Sequence, residues 1–235
     1  MLAFPPVKEG RFQMAGRHTR TLVIIGVCAG FVVAGAAAEI VLLPRALPRA
    51  PAPARAEALT VMTQAQMVDL LGKVAKTLDP KLRDRLADAV LTESSRGGLD
   101  PLFVLALVAV ESRFQISVES ERGASGLMQL MPSTFAWIAG REPDIADDAQ
   151  VMEDPVIDVR LAVRYFKWLE HRFRSRDEAL MAYNAGPKRL QQYKKSGEIP
   201  EALREYPRRV MREYQRFVRI QAGGSDPRTT LAKSP

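Results

Sequence analysis

Ten residues without a polar side chain, Pro101 to Val110 in "DPLFVLALVAVESRF", run directly into a carboxylate, Glu111. A helix over this run is too short to cross a bilayer core, which takes ~20 apolar residues, and too apolar for a surface, so it is expected at the centre of a fold. Glu111 then sits where burial begins to fail. Partial desolvation disfavours its anion, and the carbonyl end of a helix carries partial negative charge that repels it. Both effects favour the protonated carboxyl. A carboxylic acid still protonated near neutral pH is what cleavage of a glycosidic bond requires, because it must give a proton to the leaving oxygen. This stretch alone also allows a Glu that snorkels from the helix end or pairs with Arg113 or Arg122.

Downstream, "SERGASGLMQLMPSTF" (Ser120 to Phe135) combines several useful residue types. Gly123 and Gly126 permit tight backbone conformations, Gln129 offers a donor and an acceptor, and Met128 and Met131 offer adaptable apolar surface. Such a turn can present an amide beside an apolar wall. "AYNAGP" (Ala182 to Pro187) places Tyr183 and Asn184 at a helix end before a Gly-Pro stop, where polar side chains can face a groove. Taken singly, the methionines read as core and the Asn as part of a capped terminus. Glu119 and Glu121 are the nearest candidates for a second acid and read as solvated charges of a polar loop.

Other chemistries find little support. Cys28 is the only cysteine and His18 and His171 the only histidines, so neither a disulfide framework nor a metal cluster is expected, and no cofactor is implied. His171 falls in a helical pattern among arginines and reads as a surface residue rather than a triad base.

The elements that must position these groups are helices. Thr63 precedes Met67, Leu70, Leu71, Val74 and Leu78 at helical spacing, and Asp79-Pro80 and Asp100-Pro101 each open a segment in the N-cap, N1 arrangement. Pro132 begins another that stops at Gly140. Val156, Val159, Val163, Phe166, Leu169 and Phe173 line one face of a longer helix. Ser175 and Glu178 form a capping-box pattern, and the chain is helical again from Pro200 to about Gln221, with a break or fresh start expected at Pro207. The domain over residues 59–222 is expected to be all-α.

Ahead of it, residues 21–43 begin with an uncharged apolar run, "TLVIIGVCAGFVVAGAAA", long enough to cross a bilayer. It reads as a transmembrane anchor behind a cytoplasmic leader, residues 1–20, or as a signal peptide with Ala36 and Ala38 near the cleavage point. Either exports the helical domain. Residues 44–58, rich in Pro and Ala, read as a semi-extended linker, and residues 223–235 as a flexible tail. The net charge of +7 suits an anionic partner. Its basic residues are dispersed among helices on an exported domain, which argues against nucleic acid.

The order and spacing of "ES" at Glu111-Ser112, "GLMQLMP" at Gly126 to Pro132 and "AYNAGP" in an all-α domain resembles the catalytic domain of the soluble lytic transglycosylase family, related in fold to goose-type lysozyme. The resemblance covers residues 98–217. It implies a lysozyme-like helical fold and a peptidoglycan substrate, cleaved without water at the β-1,4 bond from N-acetylmuramic acid to N-acetylglucosamine. Glu111 matches the family's sole catalytic acid and base, so that one carboxyl suffices where most glycoside hydrolases need two. Ser120, Gln129, Met131, Tyr183 and Asn184 match substrate-contacting positions. Tyr206 in "EYPRRV" resembles a late tyrosine near the catalytic Glu, although the acidic-threonine pair that usually precedes it is absent. Asp158 stands where Asn is common, and Gln115 lies where Asn-Pro is frequent. The expected setting is a bacterial envelope, with the domain anchored to the inner membrane or secreted into the periplasm. Glycan strands are the expected partner, with a possible envelope-spanning assembly beside them. A hydrolytic muramidase and a silent wall-binding module are the alternatives.

Overall fold

A computed structural model describes residues 62–146 and 154–228 of the chain. The expected leader, anchor or signal segment and the linker lie outside these residues. Among the described residues, no helix is long and apolar enough to cross a membrane.

The described residues fold into helices joined by loops, with two isolated β-bridges in place of any strand. In chain order the helices are α1 (Gln64–Val74), α2 (Pro80–Gly97), α3 (Pro101–Glu111), α4 (Pro132–Ala139), α5 (Pro143–Ala146), α6 (Pro155–Arg172), α7 (Arg176–Ala185), α8 (Pro187–Ser196) and α9 (Glu201–Gln221). Local chemistry sets most of their starts. Thr63 and Gln66 complete a reciprocal capping box on α1, and Asp79, Asp100 and Asp154 each accept first-turn N–H groups ahead of a proline. At α7 only half of the expected box forms: Ser175 Oγ accepts from Glu178 N–H, while the Glu178 carboxylate takes the N–H of Arg174 instead.

α3 is the axis of the core. It packs most extensively on α9, while α2 lies on α6 and α7 touches both α6 and α9. Phe103 meets Phe166 at 5.3 Å between ring centroids, which binds α3 to α6 at the centre. A buried ionic cluster fixes α6 on α2: Arg164 reaches Glu93 at 2.7 Å, Glu142 at 2.8 Å and Asp144 at 2.6 Å, and Arg160 adds a second contact to Glu93. Glu93 is 1% exposed, so these arginines supply the counter-charge that its burial demands.

Two sequence expectations are corrected. Pro207 does not break the last helix, since α9 runs unbroken from Glu201 to Gln221. The proline forfeits one hydrogen bond to the preceding turn, and burial of Leu203, Tyr206, Val210, Phe217 and Ile220 along the same helix outweighs that loss. The Gly-Pro after Asn184 also does more than stop a helix. Gly186, at φ 87°, is at once the C-cap of α7 and the N-cap of α8, with Pro187 in its first turn. Beyond α9, Asp226 accepts from Arg216 at 2.8 Å and Arg228 reaches Glu213, which pins the start of the expected tail to α9.

Candidate active site

The central helix ends abruptly at the carboxylate. All of α3 from Pro101 to Ala109 is buried, whereas Val110 and Glu111 are half-buried. Ser112 closes the helix by donating its hydroxyl to Val108 O at 3.2 Å and accepting the Phe114 N–H at 3.1 Å. Arg113 and Phe114 then take left-handed conformations, φ 54° and 64°, at a cost of about 1–2 kcal/mol each. The buried Phe114 ring, 6.5 Å from Phe217, anchors that turn. Glu111 is therefore the last helical residue and points where the chain itself turns away.

α9 supplies its neighbours. Tyr206 and Arg209, three residues apart, share one face of the helix. The Tyr206 hydroxyl donates to Glu111 Oε1 in a short contact, and Arg209 donates to Val110 O at 3.4 Å. Burial raises the Glu111 pKa from 4.5 to about 7; the Tyr206 hydrogen bond and the Arg209 charge pull it down, and the Asp158 charge pushes it up. A second carboxyl, Asp158, is thus among the groups that bear on Glu111. Burial and the Glu111 charge hold the hydroxyls of Tyr183 and Tyr206 protonated well above the ordinary tyrosine range, so both remain hydrogen-bond donors.

The loop before α4 is tied to these groups through Tyr183 and Asp158. Its Met128 peptide is held from two sides: the N–H donates to Asp158 Oδ2 on α6 at 2.8 Å, and the carbonyl accepts the Tyr183 hydroxyl of α7 at 2.8 Å. Gly126, at φ 82°, lies so close that a Cβ there would stand 2.6 Å from Asp158 Oδ2. Gln129 is left-handed at φ 50°, and its amide donates to Val118 O at 2.9 Å and Gly126 O at 3.1 Å. Asp158 is 3% exposed, and burial lifts its pKa from 3.8 to about 7 against the pull of the Met128 and Leu127 N–H groups.

The expected site residues fall into three groups. Glu111 and Tyr206 touch, and Tyr183 lies within electrostatic reach of Glu111 while bonding the Met128 carbonyl. Gln129 and Ser120 spend their side-chain hydrogen bonds on bracing the loop: Ser120 Oγ accepts the Ala124 N–H at 3.0 Å. Met131, 40% exposed, and Asn184, also exposed, offer accessible surface. Glu119, Glu121 and His171 are exposed. Sequence reasoning passes over Arg209, although its three-residue spacing from Tyr206 is a signal, and it marks Asp158 only as a departure from Asn.

A cleft of about 900 Å³ runs past Gly126 and Asp158 between the N-termini of α2 and α6, rimmed by Lys81, Arg85 and Asp154. Glu111 does not line it. Among the described residues, no group of three or more His, Cys, Asp or Glu could hold a metal ion. The arrangement can donate one proton from Glu111, accept it back, and steady a polar ligand through Tyr206 and the loop.

Residues 88–202 match the family model of the transglycosylase SLT domain. Through this region the chain belongs to the SLT domain family. The soluble lytic murein transglycosylase of Salmonella typhimurium strain LT2 is 31% identical over 128 residues, which are 50% of this chain and 20% of that protein. The enzyme of the same name from Escherichia coli K12 is 32% identical over 91 residues, 37% of this chain and 14% of its own length. The chain thus spans a fifth or less of the curated relatives it matches. In fold, the chain resembles an inactive mutant of the lytic transglycosylase Slt from Pseudomonas aeruginosa, with a TM-score of 0.52 and 22% identity over 68% of this chain and 30% of that one.

Proposed function

We propose that the chain is a peptidoglycan lytic transglycosylase in which Glu111 is both acid and base. The observation that carries this reading is the carboxyl of Glu111, which burial brings to about 7 in contact with Tyr206, within an SLT domain. Near neutral pH it can hold the proton that the bridging oxygen between N-acetylmuramic acid and N-acetylglucosamine must receive. As that bond breaks, Glu111 becomes a carboxylate, with Tyr206 donating to it and Arg209 nearby to stabilise the charge. It then takes the proton of the muramyl C6 hydroxyl as that oxygen bonds to C1. A 1,6-anhydromuramyl end results, the proton returns to Glu111, and no water enters.

Ser120, Gln129, Met131, Tyr183 and Asn184 serve in this reading as groove residues. Gln129 and Ser120 act through the loop that they brace, and Met131 and Asn184 through exposed surface. Residues 1–43 export the domain, either as a leader with a membrane anchor or as a cleaved signal, and residues 44–58 set its distance from the membrane. The net charge of +7 suits a wall polymer bearing carboxylates.

Digestion of purified wall followed by mass measurement of the muropeptides tests this. Ends lighter by one water are expected, and Glu111→Gln should abolish their release. Reducing ends alone would replace the reading with hydrolysis, and undiminished cleavage by Glu111→Gln would remove Glu111 from the chemistry.

A further inference from the structure

We propose that Asp158 is a positioning residue for the loop that carries Gln129 and Met131, and that its charge bears on Glu111. Its kinetic test rests on the lytic transglycosylase reading, and its spectroscopic test does not.

Asp158 is placed as a strut. It rises from α6, the helix that the Glu93–Arg164 ion cluster locks onto α2, so its backbone has little freedom. Its carboxyl is buried under the loop and accepts the Met128 N–H at 2.8 Å. The fit is close enough that only glycine at position 126 leaves no side-chain atom in the way: a Cβ would meet Asp158 Oδ2 at 2.6 Å. Because Tyr183 takes the carbonyl of the same Met128 residue, the backbone entering the left-handed Gln129 is fixed from both ends. Removing the Asp158 acceptor would leave a buried N–H without its partner and free the loop that carries Gln129 and Met131.

Charge is the second part. The groups that bear on Glu111 are Tyr206 and Arg209 from α9, Tyr183 from α7 and Asp158 from α6. Of these only Asp158 adds negative charge, and it opposes Arg209. Around Asp158 itself stand the Leu127 and Met128 N–H groups, Tyr183 and Glu111, with Lys81, Arg85, Asp79, Asp154 and Glu119 along the neighbouring cleft. Arg85 is taken up by Asp154 at 2.5 Å. Burial brings both carboxyls to about 7, so both change charge over the same range, and charge on Asp158 raises the Glu111 pKa further. An ionised Asp158 therefore keeps the proton on Glu111 to higher pH.

The full chain, Asp158→Asn and Asp158→Ala would be assayed on purified wall from pH 5 to 9. Asp158→Asn keeps an acceptor oxygen and loses the charge. Its alkaline limb should move to lower pH by about half a unit, a roughly threefold loss of rate on that limb. Asp158→Ala loses the acceptor as well, and its kcat should fall by about tenfold or more at every pH, as misplaced groups lose their effective concentration. An unmoved limb in Asp158→Asn overturns the coupling, and an undiminished kcat in Asp158→Ala overturns the strut. If Asp158→Ala does not fold, Asp158→Asn still decides the coupling, and its backbone amide exchange at Met128, expected to stay slow as in the parent, decides the strut. The ¹³C titration of the Glu111 carboxyl reads the same downward shift without substrate, so the coupling can stand or fall apart from the proposed activity.

Discussion

Replacing Glu111 by Gln should make the protein more stable, and by an amount that depends on pH. In the unfolded chain the carboxyl ionises near 4.5, and in the folded chain at about 7. Between those values the folded state holds the proton and the unfolded state has released it. The Glu111 contribution to stability is therefore neutral below about 4.5, becomes increasingly unfavourable as pH rises through this window, and levels off above 7. At about 1.4 kcal/mol per pH unit the full difference is roughly 3 kcal/mol, and because Glu111 is only half-buried, screening reduces this to about 2 kcal/mol. The Gln variant has no such group. Its advantage should be close to nil at pH 4 and about 2 kcal/mol at pH 8, which for a domain of this size is a rise of about 4–8 °C in Tm. Urea unfolding of both proteins at pH 4, 6 and 8 would measure it. A difference that is the same at all three would refute the burial argument on which the reading of Glu111 rests.

Three further outcomes follow from the packing. Tyr206→Phe removes the hydrogen bond that lowers the Glu111 pKa, so the alkaline limb of the pH–rate profile should move upward while kcat falls and about 1 kcal/mol of stability is lost; a limb that moves down would contradict the contact. Gly126→Ala forces an L residue to φ 82° and a Cβ against Asp158, and should cost about 2–3 kcal/mol in chemical denaturation along with most of the wall-cleaving activity. Glu93→Ala leaves Arg164 buried without its main partner and should cost about 3–5 kcal/mol, read as a lower urea midpoint, with kcat little changed at low temperature.

Most of what is local in this fold is legible in the sequence. Asp-Pro pairs, the Thr63 box and the apolar run of α3 each declare themselves within a few residues, because capping and burial of a whole helix leave signatures at short range. The short helices α5 and α8 give no such signal: α5 is a single turn, and α8 carries only one buried side chain, Leu190, and so has no apolar stripe to read. Pro207 reads as a break because its local penalty is visible, whereas the compensating contacts with α3 and α7 join residues far apart in the chain. The site divides in the same way. Glu111 can be singled out from its own helix and Gln129 from its own turn, but the strut from Asp158 spans 30 residues and the contact to Tyr206 spans 95. No periodicity encodes such pairings. Gly126 shows the limit clearly: its need for a turn is legible, while the carboxylate that would strike its Cβ is not.

That 95-residue separation bears on when Glu111 acquires its surroundings during synthesis. Glu111 is made well before Tyr206, because the helix that packs on α3 and brings Tyr206 and Arg209 to the carboxyl is the last of those described. The packing that α9 gives to α3, and the contacts it brings to Glu111, are thus the last to be made among the described helices. A chain cut short before α9 lacks Tyr206, Arg209 and the helix that packs most extensively on α3. The order of the helices leaves the surroundings of Glu111 incomplete until the last described helix is made.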